Sequence, residues 1–202
     1  MSSAGARGLP RMIDLHPAVR RTIEVVTSVT DDQLDRPTPC PGSSVGDVID
    51  HLGTFALVFA AAARKETAAS TSAPPPPSGA NLEAGWRDRI SRDLLGLAEM
   101  WRDPQAWDGS TYAGGFEMPA DVVGLVALDE LVVHGWDVAV ASGQRYAPSA
   151  RDIDAATGFV TSFEAPRDGS LFGPIVPVAD DAPPLDRLLG LTGRDPSWRP
   201  PH

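Results

Sequence analysis

The chain has 202 residues, 42% of them hydrophobic, with 17 Lys+Arg against 27 Asp+Glu and a formal net charge of -10. One hydrophobic core serves that length, and the acidic balance argues against a general nucleic-acid partner, which requires a basic face to displace counterions from phosphates. The single cysteine, Cys40, excludes an internal disulfide framework and Cys-rich zinc modules, and it fits a reducing compartment.

The first eleven residues, MSSAGARGLPR, lack the continuous apolar stretch of a secretory signal. They are expected to form a disordered extension, and the protein to be cytoplasmic. From residue 12 the pattern becomes helical. Leu15, Val19, Ile23, Val26 and Val29 recur at spacings of three and four, which predicts a first helix over residues 13–29. The connection DDQLDRPTPCPGS is too rich in proline for helix to continue. Ser44 then stands three residues before Asp47 in the manner of a capping box, so a second helix is expected over residues 45–64. Its most apolar run, TFALVFAAAA, has ten residues, about half of what a bilayer requires, and reads as buried helix with no membrane partner.

Residues 67–80 contain four consecutive prolines among small polar residues and are expected to be a mobile loop. A third helix over residues 82–101 is expected from Trp86, Ile90, Leu94, Leu97 and Trp101 on one face. The segment RDPQAWDGSTYAGGFEM reads as irregular, with a turn at Gly114-Gly115. Pro119 fits the first turn of a fourth helix and Gly143 its end. Between them VVGLVALDELVVHGWDVAVA is apolar nearly all round, as a helix at the centre of a domain is. A helix over residues 150–163, an extended GPIVPV, a short DRLLGL helix and a proline-bound tail complete the chain. The expected fold class is all-α: a four-helix bundle over residues 12–165, with a less regular extension over residues 166–202 packed on it and ending in a disordered tail.

The polar residues of the central helix carry the chemistry. Only Asp129, Glu130, His134 and Asp137 interrupt its apolar surface, and Glu130, His134 and Asp137 fall at i, i+4 and i+7 on one stripe. A buried carboxylate and imidazole need partners. A divalent metal is one solution and a simple hydrogen bond between the two is another; the spacing leaves both open. On the second helix, His51 lies in a polar stripe with Asp47 and Thr54. If the two helices face each other, His51, Glu130 and His134 supply three metal ligands and leave positions for water or substrate. Two imidazoles and one carboxylate favour Zn²⁺, and the ligand types leave nickel, iron and manganese open. Asp137 is a candidate fourth ligand, an outer partner that orients His134, or a packing group, with the orienting or structural roles preferred. Asp47 and Trp136 are further candidates beside the site.

Cys40 sits between Pro39 and Pro41 with no adjacent His or Lys and no CxxC partner, and is read as inert. His16, just before Pro17, is read as a surface or structural histidine, and His202 as an uninvolved tail residue. No phosphate-binding glycine loop and no Gly-x-Ser-x-Gly elbow is present, so nucleotide binding and serine-hydrolase chemistry have no support.

The runs DLHPAVRR from Asp14, TPCPGSSVGDVIDHL from Thr38, LVALDELVVHGWDVAVASG from Leu125 and LLGLTGRDPSW from Leu188 together resemble the DinB-like superfamily in its mycothiol-dependent maleylpyruvate isomerase branch. The resemblance implies a bundle holding a metal near one end, with His51, Glu130 and His134 as ligands. It also implies a low-molecular-weight thiol cosubstrate, mycothiol in actinobacteria, whose sulfur the metal activates for attack on a small electrophile in an S-transferase or isomerase reaction. The chain departs from the family at Ser43, where a tryptophan is usual, which bears on the shape of the pocket. The rival readings are a non-catalytic metal- or ligand-binding bundle and, less favoured, a metallohydrolase. The expected partners are the thiol and the electrophile, and the expected assembly is a monomer or homodimer.

Overall fold

The computed structural model describes residues 12–66, 75–162, 167, 169 and 171–201. The expected extension over residues 1–11, the start of the proline-rich loop and His202 lie outside the described residues. Six α-helices dominate: α1 (His16–Ser28), α2 (Val45–Ala63), α3 (Trp86–Met100), α4 (Ala120–Ala141), α5 (Ala150–Ser162) and α6 (Pro184–Leu191). The helices α1 and α2 each pack against both α3 and α4, which closes a four-helix ring; α5 then docks on α4, and α6 on α5. This is the all-α bundle with an irregular extension that the residue pattern predicts.

Local chemistry sets the helix ends. Ser44 accepts a hydrogen bond from Asp47 N while Asp47 Oδ2 accepts from Ser44 N at 2.8 Å, so the capping box forms and fixes where α2 begins. The first helix starts at His16 rather than residue 13, with Pro17 in its first turn; Ile13 and Leu15 remain in the core from the preceding extended segment. The third starts at Trp86 rather than residue 82, because Gly85 takes a left-handed φ of 81° immediately before it. Pro119 stands just outside α4 as its N-cap. By length and a mean hydropathy of 1.4, α2 is the one helix among the described residues that fits a bilayer, but 78% of that window is buried inside the bundle, as expected of a core helix.

The segment read as irregular contains a hairpin. Strands β1 (Ser110–Ala113) and β2 (Phe116–Pro119) pair antiparallel, with Ala113 opposite Phe116 and Ser110 opposite Pro119. Gly114 and Gly115 both have positive φ, 60° and 86°, as a tight two-residue hairpin turn demands. An isolated hairpin of this size is marginal. It is stabilised here by packing on α2, where Thr111 Oγ1 donates to Ala62 O at 2.7 Å; just past the end of α2 the lone lysine, Lys65, ties down the segment leading into the hairpin by donating to the carbonyls of Ala106 and Asp108. The described end of the proline-rich segment is hydrogen-bonded to α2. Ser78 N and Asn81 Nδ2 both donate to Asp50 Oδ2, and Gly79 N donates to Asp47 Oδ1.

The central helix α4 is pinned along its length. Tyr146 and Thr22 both donate to Leu131 O at 3.1 Å. Near its start, a Cβ on Gly124 would lie 2.4 Å from the Trp107 ring. That ring is itself fixed by an Nε1 hydrogen bond to Trp101 O at 2.7 Å and a T-shaped contact with Trp101. Gly124→Ala gains about 1 kcal/mol of helix propensity but overpacks a ring that cannot retreat. Against a ring that cannot move the overpacking cost falls at the upper end of about 1–3 kcal/mol, so the expected net effect is a loss of about 1–2 kcal/mol in urea unfolding; unchanged or raised stability would contradict this packing.

Candidate metal centre

The packing of α2 against α4 brings His51 onto the polar stripe of the central helix. His51 Nε2 lies 2.9 Å from Glu130 Oε2, and His134 Nε2 lies 3.2 Å from the same oxygen. The two imidazole rings meet edge to face with centroids 4.9 Å apart. One ligand atom from each of His51, Glu130 and His134 lies within 4.8 Å of the others. These are the three residues expected as ligands, and they come together because His51 projects across the helix interface while Glu130 and His134 are one turn apart on α4.

The electrostatics of the cluster follow from its geometry. Burial opposes ionisation of Glu130, but the His134 and His51 imidazoles on its carboxylate outweigh it and hold the group well below the usual range. Burial also disfavours the His134 imidazolium; Glu130 and Asp137 on either side of the ring overcome that and push it up to about 10. Asp129 behaves oppositely. Burial, with Glu130 adding like-charge repulsion, raises it to about 8, so it is held as the neutral acid at pH 7.

Asp137 is buried, and its Oδ2 lies 3.0 Å from His134 Nδ1. A carboxylate in that position accepts the Nδ1–H and leaves Nε2, on the other side of the ring, to face Glu130 and His51. Two nitrogens and one carboxylate oxygen converging on a common point, one imidazole oriented from behind by a carboxylate, match the requirements of a divalent cation such as Zn²⁺. The residues present therefore fit the group.

A cavity of about 130 Å³ opens onto this cluster, with Cys40, Ser43, Val48 and Pro77 in its wall alongside His51 and His134. Asp47 also lines it, but both of its oxygens are occupied by the backbone N–H groups of Ser44 and Gly79, so its role is to close the α2 cap and the 78–81 segment. Trp136 does not join the others. It lines a separate groove with Val140, Gln144, Tyr146 and Arg199. Two positions along a helix are about 200° around its axis, so Trp136 and His134 face opposite ways. His16 bonds to Asp14 on the exposed start of α1, away from the cluster.

Two residues near the centre are not legible as such in the sequence. Cys40 has no activating neighbour along the chain, yet its sulfur lies within 4.8 Å of ligand atoms of His134 and Asp137. The turn that carries it is closed by Thr38, whose N and Oγ1 both donate to Ser43 O. Arg194, from the segment after α6, is largely buried and places Nη2 3.1 Å from Asp137 Oδ2. Nothing in an isolated Gly-Arg-Asp run signals a contact with a helix 57 residues earlier.

Fold and site together define the class: a helical bundle with a His-Glu-His candidate metal centre between its second and fourth helices. The chain belongs to the mycothiol maleylpyruvate isomerase N-terminal domain family, a DinB-like family whose profile matches residues 15–139. The matched region contains all three candidate ligands and Asp137, and ends before α5 and the extension that carries Arg194. Comparison with curated proteins and with solved structures gives no match.

The His134 geometry has a measurable consequence in metal-free protein. Its folded-state value near 10 exceeds the ordinary 6.5. The stabilisation is thus fully present below about pH 6.5 and lost as pH rises toward 10. Urea unfolding of chelator-treated protein should show stability falling across that window, with the fall reduced in His134→Gln. Parallel pH profiles for the two proteins would contradict an imidazolium held between Glu130 and Asp137.

Proposed function

We propose that this protein is a metal-dependent thiol S-transferase or isomerase. In this reading Zn²⁺ is held by His51, Glu130 and His134, and mycothiol or a similar low-molecular-weight thiol is the cosubstrate. The observation that carries it is the convergence of the three ligand atoms within 4.8 Å at the end of a cavity, with Asp137 behind His134. Membership of the mycothiol maleylpyruvate isomerase N-terminal domain family supports the thiol. When bound, a divalent cation supplies the positive charge that makes a thiol ionise near neutral pH.

The chain's own residues supply position and exclusion. Glu130 and the two imidazoles fix the ligand set on rigid helices, and Asp137 holds the His134 tautomer. The cavity of about 130 Å³ admits the thiol end of a cosubstrate and a small electrophile, with Val48 and Pro77 providing apolar wall. Ser43, where the resembling family has tryptophan, leaves that wall more open than an indole would. In such a site the sulfur anion adds to an electrophilic carbon of an activated alkene, forming a C–S bond as the π bond breaks and charge passes to the activating carbonyl. Elimination after rotation returns the thiol and the isomerised alkene; protonation of the adduct instead completes a transfer. The only cysteine need not serve as nucleophile, since the sulfur comes from the cosubstrate.

Two measurements test this reading. Protein purified without a chelator or histidine tag should carry about one Zn²⁺ per chain, reduced at least tenfold in His51→Ala, Glu130→Ala and His134→Ala; metal retained at wild-type level in all three would reject the ligand set. Incubation with mycothiol and a panel of unsaturated carbonyl compounds, monitored by mass spectrometry and chromatography, should give a thiol adduct or isomer that requires both thiol and metal. Stoichiometric metal with no product across the panel would favour a non-catalytic metal-binding bundle, and turnover without thiol would favour a hydrolase.

A further inference from the structure

We propose that Arg194, supplied by the chain segment after α6, is a positioning residue for the metal centre, acting through Asp137 on His134. The inference rests on His51, Glu130 and His134 being the ligands, and adds to that reading a residue from outside the region matched by the family.

The contact is specific. Asp137 Oδ2 receives two donors: His134 Nδ1 at 3.0 Å from its own helix, and Arg194 Nη2 at 3.1 Å from 57 residues further along the chain. Asp137 is fully buried, and a carboxylate in a low-dielectric interior needs close donors to replace the water it has lost. The guanidinium offsets that charge. It also fixes the orientation of the carboxylate, because an oxygen held by donors from two separate elements cannot turn without losing one of them. The ring of His134 is in turn aimed by that oxygen, since Nδ1 and Nε2 sit on different edges of one rigid planar ring.

Arg194 is itself held by local structure that the sequence encodes. The helix α6 ends in a Schellman arrangement: Gly193 N donates to Gly190 O and Arg194 N to Leu189 O at 2.8 Å. Gly193 occupies the left-handed position with φ 88°, and a Cβ there would meet Gly173 Cα at 2.7 Å, so the turn is packed against the extended segment. Thr192 O accepts from Arg194 Nη1 at 3.1 Å and from Gly173 N at 3.2 Å. The guanidinium is thereby set toward α4 by a turn whose backbone has no freedom to shift. In this way the extension completes a site whose ligands all lie in the bundle.

The test is a double-mutant cycle on Zn²⁺ affinity, measured by competition with a chromogenic chelator, with urea unfolding of the metal-free proteins in parallel. Arg194→Met should weaken Zn²⁺ binding about tenfold or more, within the range of 10–100-fold expected for loss of an outer partner. Asp137→Asn should weaken it comparably. Arg194→Met made in the Asp137→Asn background should cause little further loss, because the arginine acts only through that carboxylate. Arg194→Lys, which keeps the charge but not the planar fork, should retain more affinity than Arg194→Met and serves as the readable variant if the methionine protein fails to fold. Wild-type affinity in Arg194→Met, or in Arg194→Lys where that is the variant measured, would overturn the proposal and leave the ligand assignment standing. So would a loss undiminished in the Asp137→Asn background, since that would mark a structural effect independent of the carboxylate. A wild-type protein that binds no Zn²⁺ would overturn the ligand assignment and this proposal together.

Discussion

Charge on an otherwise apolar central helix is the constraint that organises this molecule. The helix α4 is surrounded by α1, α2 and α5, and its side chains are buried nearly all round. A carboxylate and an imidazole inside such a helix cannot rely on water, so their partners must come from other segments. His51 is delivered from α2, Asp137 from the next turn of α4, and Arg194 from beyond α6. The bundle supplies a hydrophobic reason for the helices to pack, and the polar stripe fixes which faces meet. Isolated burial of Glu130 or His134 would be costly; together they hold each other in the charged form.

Much of this is legible in the sequence because it depends on short-range period. The stripe of Glu130, His134 and Asp137 results directly from 3.6 residues per turn, and the Ser44–Asp47 cap fixes the start of α2 and hence the phase of His51. Periodicity cannot say that α2 meets α4, and only the resemblance across several separated segments makes that pairing an expectation. The β1–β2 hairpin is illegible because two four-residue strands give too little alternation to separate them from irregular chain, and what anchors it is the Thr111 contact to a carbonyl 49 residues earlier. Trp136 is close to His134 in sequence but lines a different groove, because two positions along a helix point in nearly opposite directions. Cys40 and Arg194 escape for the complementary reason: their neighbours are near in space and remote along the chain.

The division of labour between the matched region and the remainder of the chain bears on how the family should be understood. Residues 15–139 contain every candidate ligand. Yet the outer partner of Asp137 and the packing of Leu188 and Leu189 against α5 come from later residues. In this chain the bundle presents the His-Glu-His set on two helices, and the extension reaches it only through the Arg194–Asp137 contact, without contributing a candidate ligand.

The cavity wall is built differently from the cavity floor. The candidate ligands stand on helices locked by core packing, whereas Cys40, Ser43 and Pro77 come from turns closed by backbone and capping hydrogen bonds. The side chains of Ser43 and Pro77 therefore shape the cavity from segments that carry none of His51, Glu130 and His134. Such an architecture keeps the candidate ligands and the shape of the space in front of them on separate parts of the chain.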